Sequence, residues 1–124
     1  MKDWNALRQR YLQNEVATRL GGLAANLARI NSLTQRGTNG NVVEYLIHES
    51  KFFIEWTAMD AGIDMAAELV ELQVQLARWQ MRWASLWADA TQRMILAQQV
   101  KVWSERVLEM SGLLSEPSAI SGQS

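Results

Sequence analysis

The clearest pattern of hydrophobic and polar positions lies between residues 65 and 86. Apolar residues recur there at alternating spacings of four and three, the spacing of one face of an α-helix. The apolar set is Met65, Leu69, Leu72, Leu76, Trp79, Trp83 and Leu86. A polar set with the same period predicts a solvated opposite face, and it comprises Glu68, Glu71, Gln75, Arg78, Arg82, Ser85 and Asp89. The segment is therefore predicted to be an amphipathic helix that buries one stripe against other helices.

The first predicted helix begins after Asp3, whose side chain can cap it. Its apolar period slips by one residue near Gln13 and Asn14, so we expect a kink or a break there. Gly21 and Gly22 lie within the helix, where each glycine costs about 1 kcal/mol relative to alanine. Two interpretations of this pair stay open, namely close approach by another helix and a ligand against bare backbone.

Residues 37–40 separate the first helix from the second, because glycine, threonine and asparagine there show no apolar period. Asn41 and Glu44 form the pattern of a capping box, which predicts a second helix from Asn41 to about Met59. Apolar residues occupy most of the circumference of this helix. It is therefore predicted to be central in the fold or to form a subunit interface.

Capping signals give the remaining boundaries. Gly62 is suited to end the second helix, and Asp64 is suited to cap the third. After a tight corner at residues 87–88, Asp89 and Gln92 form another capping-box pattern. The last helix is predicted to end near Gly112.

Together these elements predict an all-α fold, an antiparallel up-and-down helical bundle of four main helices with a kinked or broken first helix. Residues 1–114 are predicted to form a single helical bundle domain, since 124 residues are too few for two ordinary domains. The small polar residues of 115–124 are predicted to be a disordered tail.

The composition excludes several classes of protein. The chain has no cysteine, which excludes disulfides, zinc-thiolate sites and cysteine nucleophiles. Its net charge of −1 does not give the basic surface of a nucleic-acid-binding protein. It begins with no signal peptide and has no apolar run of about 18 residues that would span a membrane. We therefore expect a cytoplasmic protein with no nucleic-acid partner.

His48 and Glu49 are the main candidates for chemistry. His48 is the single histidine, and Tyr45 stands three positions before it, where a di-iron helical bundle needs a glutamate. No metal site and no cofactor are therefore predicted, and a solvated histidine is the commoner case. Glu49 lies beside an apolar stripe, so we predict that it is at least partly buried and paired with a cation, for example Arg19 or Arg29. Catalysis needs convergent groups, and the sequence predicts no enzyme and no catalytic residues.

The apolar excess of the second helix and the tryptophan-rich end of the third suggest a function. We expect a non-enzymatic helical protein-protein interaction module that self-associates as a homodimer. The predicted interface comprises Tyr45, Phe52, Trp56 and Trp87.

The alternative is a carrier of an apolar aromatic ligand or pigment in the bundle core. Bundles often hold ligands between their helices, and six tryptophans are many for a chain of this length. Large side chains that simply fill a bundle are the commoner explanation of such residues. The predicted cavity lining comprises Trp56, Met59, Trp79, Met81, Trp83 and Trp103.

The chain resembles small all-helical proteins of cyanobacteria in three stretches, residues 17–29 (ATRLGGLAANLAR), 49–57 (ESKFFIEWT) and 68–73 (ELVELQ). The likeness extends over most of the chain. Those proteins have no assigned activity or catalytic residues, so the resemblance implies a cytoplasmic bacterial protein and nothing about its chemistry.

Overall fold

The computed structural model describes residues 3–112, in which all regular structure is α-helical. The helices are α1 (Trp4–Leu12), α2 (Val16–Arg36), α3 (Gly40–Ala58), α4 (Ile63–Met81), α5 (Trp83–Ala88) and α6 (Ala90–Ser111). The all-α prediction is confirmed. The predicted tail, 115–124, and the predicted domain end at residue 114 lie outside the described residues.

Helices α2 and α3 form an antiparallel pair. Arg19, near the start of α2, donates to the carbonyl of Trp56 near the end of α3. Asn26, further along α2, contacts Ser50, which lies earlier in α3. Helix α6 also packs on α2, where the Ser104 hydroxyl donates to the α2 backbone. The core between the helices is mainly aliphatic, and its fully buried members include Leu20, Leu23, Leu27, Ile30, Val43, Ile47, Ile54, Leu69, Leu72, Leu76, Leu96 and Val100.

The glycine pair in α2 lies where two elements approach that helix. A Cβ atom added to Gly22 would lie 3.9 Å from the Tyr11 ring of α1. Two residues further on, the Ala24 carbonyl accepts the hydrogen bond from Ser104 of α6 at 3.1 Å. Other helices therefore contact this part of α2, and at Gly22 the 3.9 Å distance would admit a Cβ atom, so this contact does not require glycine.

The predicted break near Gln13 and Asn14 is present, since α1 ends at Leu12 and α2 begins at Val16. The uninterrupted third helix over residues 65–86 is wrong. The helix breaks at Arg82, whose backbone (φ −107°, ψ 19°) is not helical. The break lets α5 turn Trp87 over the start of α3, where the tryptophan ring packs against Gly40.

Two of the four predicted caps are confirmed. The carboxylate of Asp3 accepts from the backbone of α1, and that of Asp89 accepts from the backbone of α6. The caps predicted at Asn41 and Asp64 are wrong. Asn39, in a left-handed conformation (φ 58°), already precedes the first residue of α3, so that helix starts earlier than the capping-box pattern indicated. Asp64 lies inside the first turn of α4, where its negative charge still favours the helix dipole.

Candidate functional site

Helix α1 covers the aromatic surface of α3. The Trp4 ring lies 4.6 Å from the Phe52 ring and 6.1 Å from the Tyr45 ring, measured between centroids. At the other end of α1, Tyr11 stacks on Phe53 with a centroid distance of 4.2 Å. Much of the apolar excess that predicted a subunit interface on the second helix is thus used inside the chain.

The predicted interface residues are correspondingly covered. Trp56 is buried and Phe52 is half-buried beneath α1. Trp87 is also half-buried, and its ring stacks on Trp83 at 5.3 Å. Tyr45 is the most exposed of the four, at 37%. With Trp56 buried and Phe52 and Trp87 half-buried, this set offers little exposed surface.

The hydroxyl of Tyr11 is a buried polar group that joins three helices. It donates to the Arg19 carbonyl at 2.7 Å and accepts from the Thr57 hydroxyl at 3.3 Å. Burial raises the pKa of Tyr11 to about 12, against the smaller lowering effects of the Thr57 hydrogen bond and the Arg19 charge. Tyrosine in an unfolded chain has a pKa of about 10, so the folded state binds the phenolic proton more tightly.

This difference predicts an alkaline loss of stability. The contribution of Tyr11 is fully present below about pH 10 and is lost as the pH rises toward 12, by up to roughly 3 kcal/mol. Urea unfolding between about pH 9 and 11.5 should show stability falling less steeply in Tyr11→Phe than in the wild type. The control Met59→Leu, at an exposed position without a titratable group, should keep the wild-type slope. Equal slopes in all three proteins would contradict the assignment to Tyr11.

The residues predicted to line a ligand cavity do not share one. Met59 and Met81 are 88% and 85% exposed, so neither lines an internal space. Trp79 is 2% exposed and fills the core. The other three tryptophans have separate neighbours: Trp56 lies near Tyr11, Trp83 is stacked on Trp87, and Trp103 is beside Arg106.

Glu49 is buried, as predicted, with 9% of its surface exposed. It accepts hydrogen bonds from the Asn26 amide at 3.0 Å and from the Tyr45 hydroxyl at 3.3 Å. The pairing proposed with Arg19 is wrong, because that guanidinium binds the Asp60 carboxylate at 2.7 Å. Arg29, the other candidate, is exposed.

His48 is half-buried in the groove between α3 and α4, not solvated. Its ring forms T-shaped contacts with the rings of Trp4 and Phe52, with centroid distances of 5.4 and 5.1 Å. Its Nδ1 atom lies 3.3 Å from the amide nitrogen of Gln80, whose oxygen accepts from Lys51 at 2.6 Å. Within residues 3–112 no group of three or more acidic or histidine side chains is placed to hold a metal ion. These contacts give His48 a packing role between α1, α3 and α4.

The outer face of α4 carries a second apolar stripe, which the sequence patterns above did not identify. We call it the outer stripe. Its residues are spaced by four, three, four, three and four positions, and they are Ile63, Ala67, Val70, Val74, Ala77 and Met81. Ile63 and Met81 are 86% and 85% exposed, and Val70 and Val74 are 47% and 45% exposed.

The outer stripe lies opposite the buried stripe of the same helix. Successive residues of an α-helix are rotated by about 100°, so Val70 and Val74 each lie about 200° from Leu72, which is fully buried. The flanks face neighbouring helices. Gln73 donates to the Lys51 carbonyl of α3 at 3.2 Å on one side. The outer stripe therefore points away from the rest of the described chain.

The polar set of this helix occupies the other flank, not the face opposite the core. Glu71 and Gln75 line a surface groove of about 330 Å³ together with Trp103 and Arg106 of α6. These polar residues lie between the buried stripe and the outer stripe. The prediction of a wet face directly opposite the core is corrected in this respect.

The outer stripe is large enough to be an interaction site. The stripe extends along a helix about 28 Å long and is roughly 10 Å wide, so it offers about 300 Å². That is the size of the largest apolar patch on a typical monomer, and such patches often mark interaction sites. The regular spacing suits a partner helix, whose side chains can pack between those of the stripe.

Comparison with known protein families, with characterised proteins and with solved structures finds no match. Over the described range, no helix combines the length and the apolar character needed to cross a membrane.

Proposed function

We propose that this chain is a non-enzymatic helical interaction module that self-associates as a homodimer through the outer stripe of α4. The exposure of Val70 and Val74, directly opposite the buried core stripe, is the observation that carries the proposal. The proposal includes an antiparallel up-and-down arrangement of α2, α3, α4 and α6 and a location in the cytoplasm. The outer stripe is proposed in place of Tyr45, Phe52, Trp56 and Trp87, because contacts within the chain, such as those of Phe52 with Trp4 and of Trp87 with Trp83, use that aromatic surface.

A second copy of the chain is the partner that the flanking charges favour. Asp64 lies one position after Ile63 and Arg78 one position after Ala77, so both charges border the stripe on the same side. Glu68, Glu71 and Arg82 follow stripe residues in the same way, so on this side each copy is acidic in the first half of α4 and basic at its end. Apolar contact in the middle with complementary charges at the rim is the usual composition of a protein interface.

Val74→Lys is expected to weaken self-association by about 30-fold or more, because it places a charge within the apolar contact. Ile95→Lys is the matched control, since Ile95 of α6 is 46% exposed and Val74 is 45% exposed. Sedimentation equilibrium of the full chain over a concentration series measures both. We expect the control to stay within about threefold of the wild type.

Two results would contradict this proposal. One is a wild-type chain that sediments as a monomer at all concentrations reached. The other is equal weakening by both lysine substitutions, which would show that added surface charge acts without regard to position.

A further inference from the structure

We propose that the two copies pair with their α4 helices antiparallel, about a two-fold axis that passes midway between Val70 and Val74 on the outer face. This inference rests on the proposed self-association and adds its geometry. The axis brings Ile63 opposite the partner's Met81, Ala67 opposite the partner's Ala77, and Val70 opposite the partner's Val74. Each of these contacts occurs twice, and the three kinds are a pair of long side chains, a pair of alanines and a pair of valines.

The alanine layers determine how closely the two helices approach. Interaxial distances between packed helices range from about 8 to 10 Å and depend on the side chains at the contact. Ala67 and Ala77 lie between the bulkier residues of the stripe, so they allow the shorter end of this range. The order of large and small residues along the stripe is nearly the same from either end. The packing therefore suits parallel and antiparallel helices equally.

The charges beside the stripe favour the antiparallel orientation. Asp64 and Arg78 are 14 positions apart, which is about 21 Å along one helix, so they cannot meet within a chain. In the antiparallel pair, each Asp64 lies beside the partner's Arg78, and the contact occurs twice. In a parallel pair the two residues lie at opposite ends of the interface. Opposed helix dipoles also favour the antiparallel arrangement.

One charge on the flank destabilises the antiparallel dimer and provides a test of its orientation. Glu71 lies midway between Asp64 and Arg78 on the same flank, so the axis brings it close to the partner's Glu71. Like charges at that distance repel. Glu71→Gln is therefore expected to tighten the dimer by about three- to tenfold, whereas in a parallel pair the two carboxylates lie on opposite sides of the interface and the substitution has little effect.

Cysteine cross-linking measures the orientation directly, because the natural chain has no cysteine. Residues 63 and 81 are 18 positions apart, or about 27 Å along α4, whereas a disulfide requires Cβ atoms about 4 Å apart. We expect mild oxidation of an equal mixture of Ile63→Cys and Met81→Cys to give the mixed disulfide, identified by mass. Each variant alone should give little, and Met94→Cys, at an exposed α6 position, controls for random collision.

The outcomes separate the orientation from the self-association. A disulfide formed by Ile63→Cys alone, in a chain that sediments as a dimer, would overturn the antiparallel geometry and leave the homodimer standing. A dimer without cross-links in any sample would also overturn it, since the stripes would not be aligned. A monomer in sedimentation, with no cross-link above the Met94→Cys level, would overturn the homodimer itself.

Discussion

Arg19→Ala is expected to lower the free energy of unfolding by about 3 kcal/mol, because it removes a buried cation that joins three segments of the chain. The Arg19 side chain is 8% exposed and donates to the carbonyl of Asn14 at 2.9 Å and to that of Trp56 at 3.3 Å. It also binds the Asp60 carboxylate at 2.7 Å. The substitution removes a donor from each of these acceptors and leaves a gap between α2 and the end of α3.

Arg29→Ala is the control for this prediction, since Arg29 is an exposed arginine in the same helix. Its loss should change stability by less than about 0.5 kcal/mol. Urea unfolding followed by circular dichroism measures both variants. If the free energies of unfolding of the two variants agree within about 1 kcal/mol, Arg19 does not stabilise the contact between these segments as described.

Gly40→Ala is expected to destabilise the protein by about 2 kcal/mol, although replacing glycine by alanine in a helix normally stabilises it. An added Cβ atom would lie 2.6 Å from Nε1 and 2.7 Å from Cε2 of Trp87. The indole cannot withdraw easily, because it is stacked on Trp83 and has the Arg93 guanidinium 5.6 Å from its ring. The start of α3 and helix α5 would therefore have to separate.

Gly62→Ala tests whether the effect is specific to this contact. An added Cβ atom at Gly62 meets nothing within 4 Å, and the backbone there is not left-handed. Its thermal unfolding midpoint should remain close to that of the wild type, while that of Gly40→Ala should fall by several degrees. An equal effect at both glycines would show that the Trp87 contact is not what matters.

The sequence predicts the helices well because their apolar period is strong and local. The buried stripe of α4, with Leu69, Leu72 and Leu76, is where the spacing placed it. The break at Arg82 could not be predicted, since the spacing continues unchanged through Trp83 and Leu86. It accompanies a tertiary contact between Trp87 and Gly40, which are distant in the sequence.

The covering of α3 by α1 also depends on a tertiary contact. The pattern showed that the helix containing Phe52 and Trp56 has more apolar surface than a bundle position needs. It could not show that Trp4 and Tyr11 of the same chain occupy that surface. A partner chain and a neighbouring helix leave the same signature in the sequence.

The outer stripe, by contrast, was readable from the sequence. Val70 and Val74 follow the same spacing of four and three as the core leucines. The polar residues of α4 have this spacing too, and they predicted a polar face opposite the core. Glu71 and Gln75 lie on the flank of the helix beside α6. A helix with two apolar stripes separated by a polar flank is typical of one that packs on both sides.

Methyl NMR of the wild-type chain over a dilution series tests the central claim, self-association through the outer stripe, most directly. We expect the methyl signals of Ile63, Val70 and Val74 to shift with concentration, while those of the fully buried Val43 and Val100 stay constant. Signals that do not change with concentration, or changes confined to Ile95 and Val102 of α6, would contradict it.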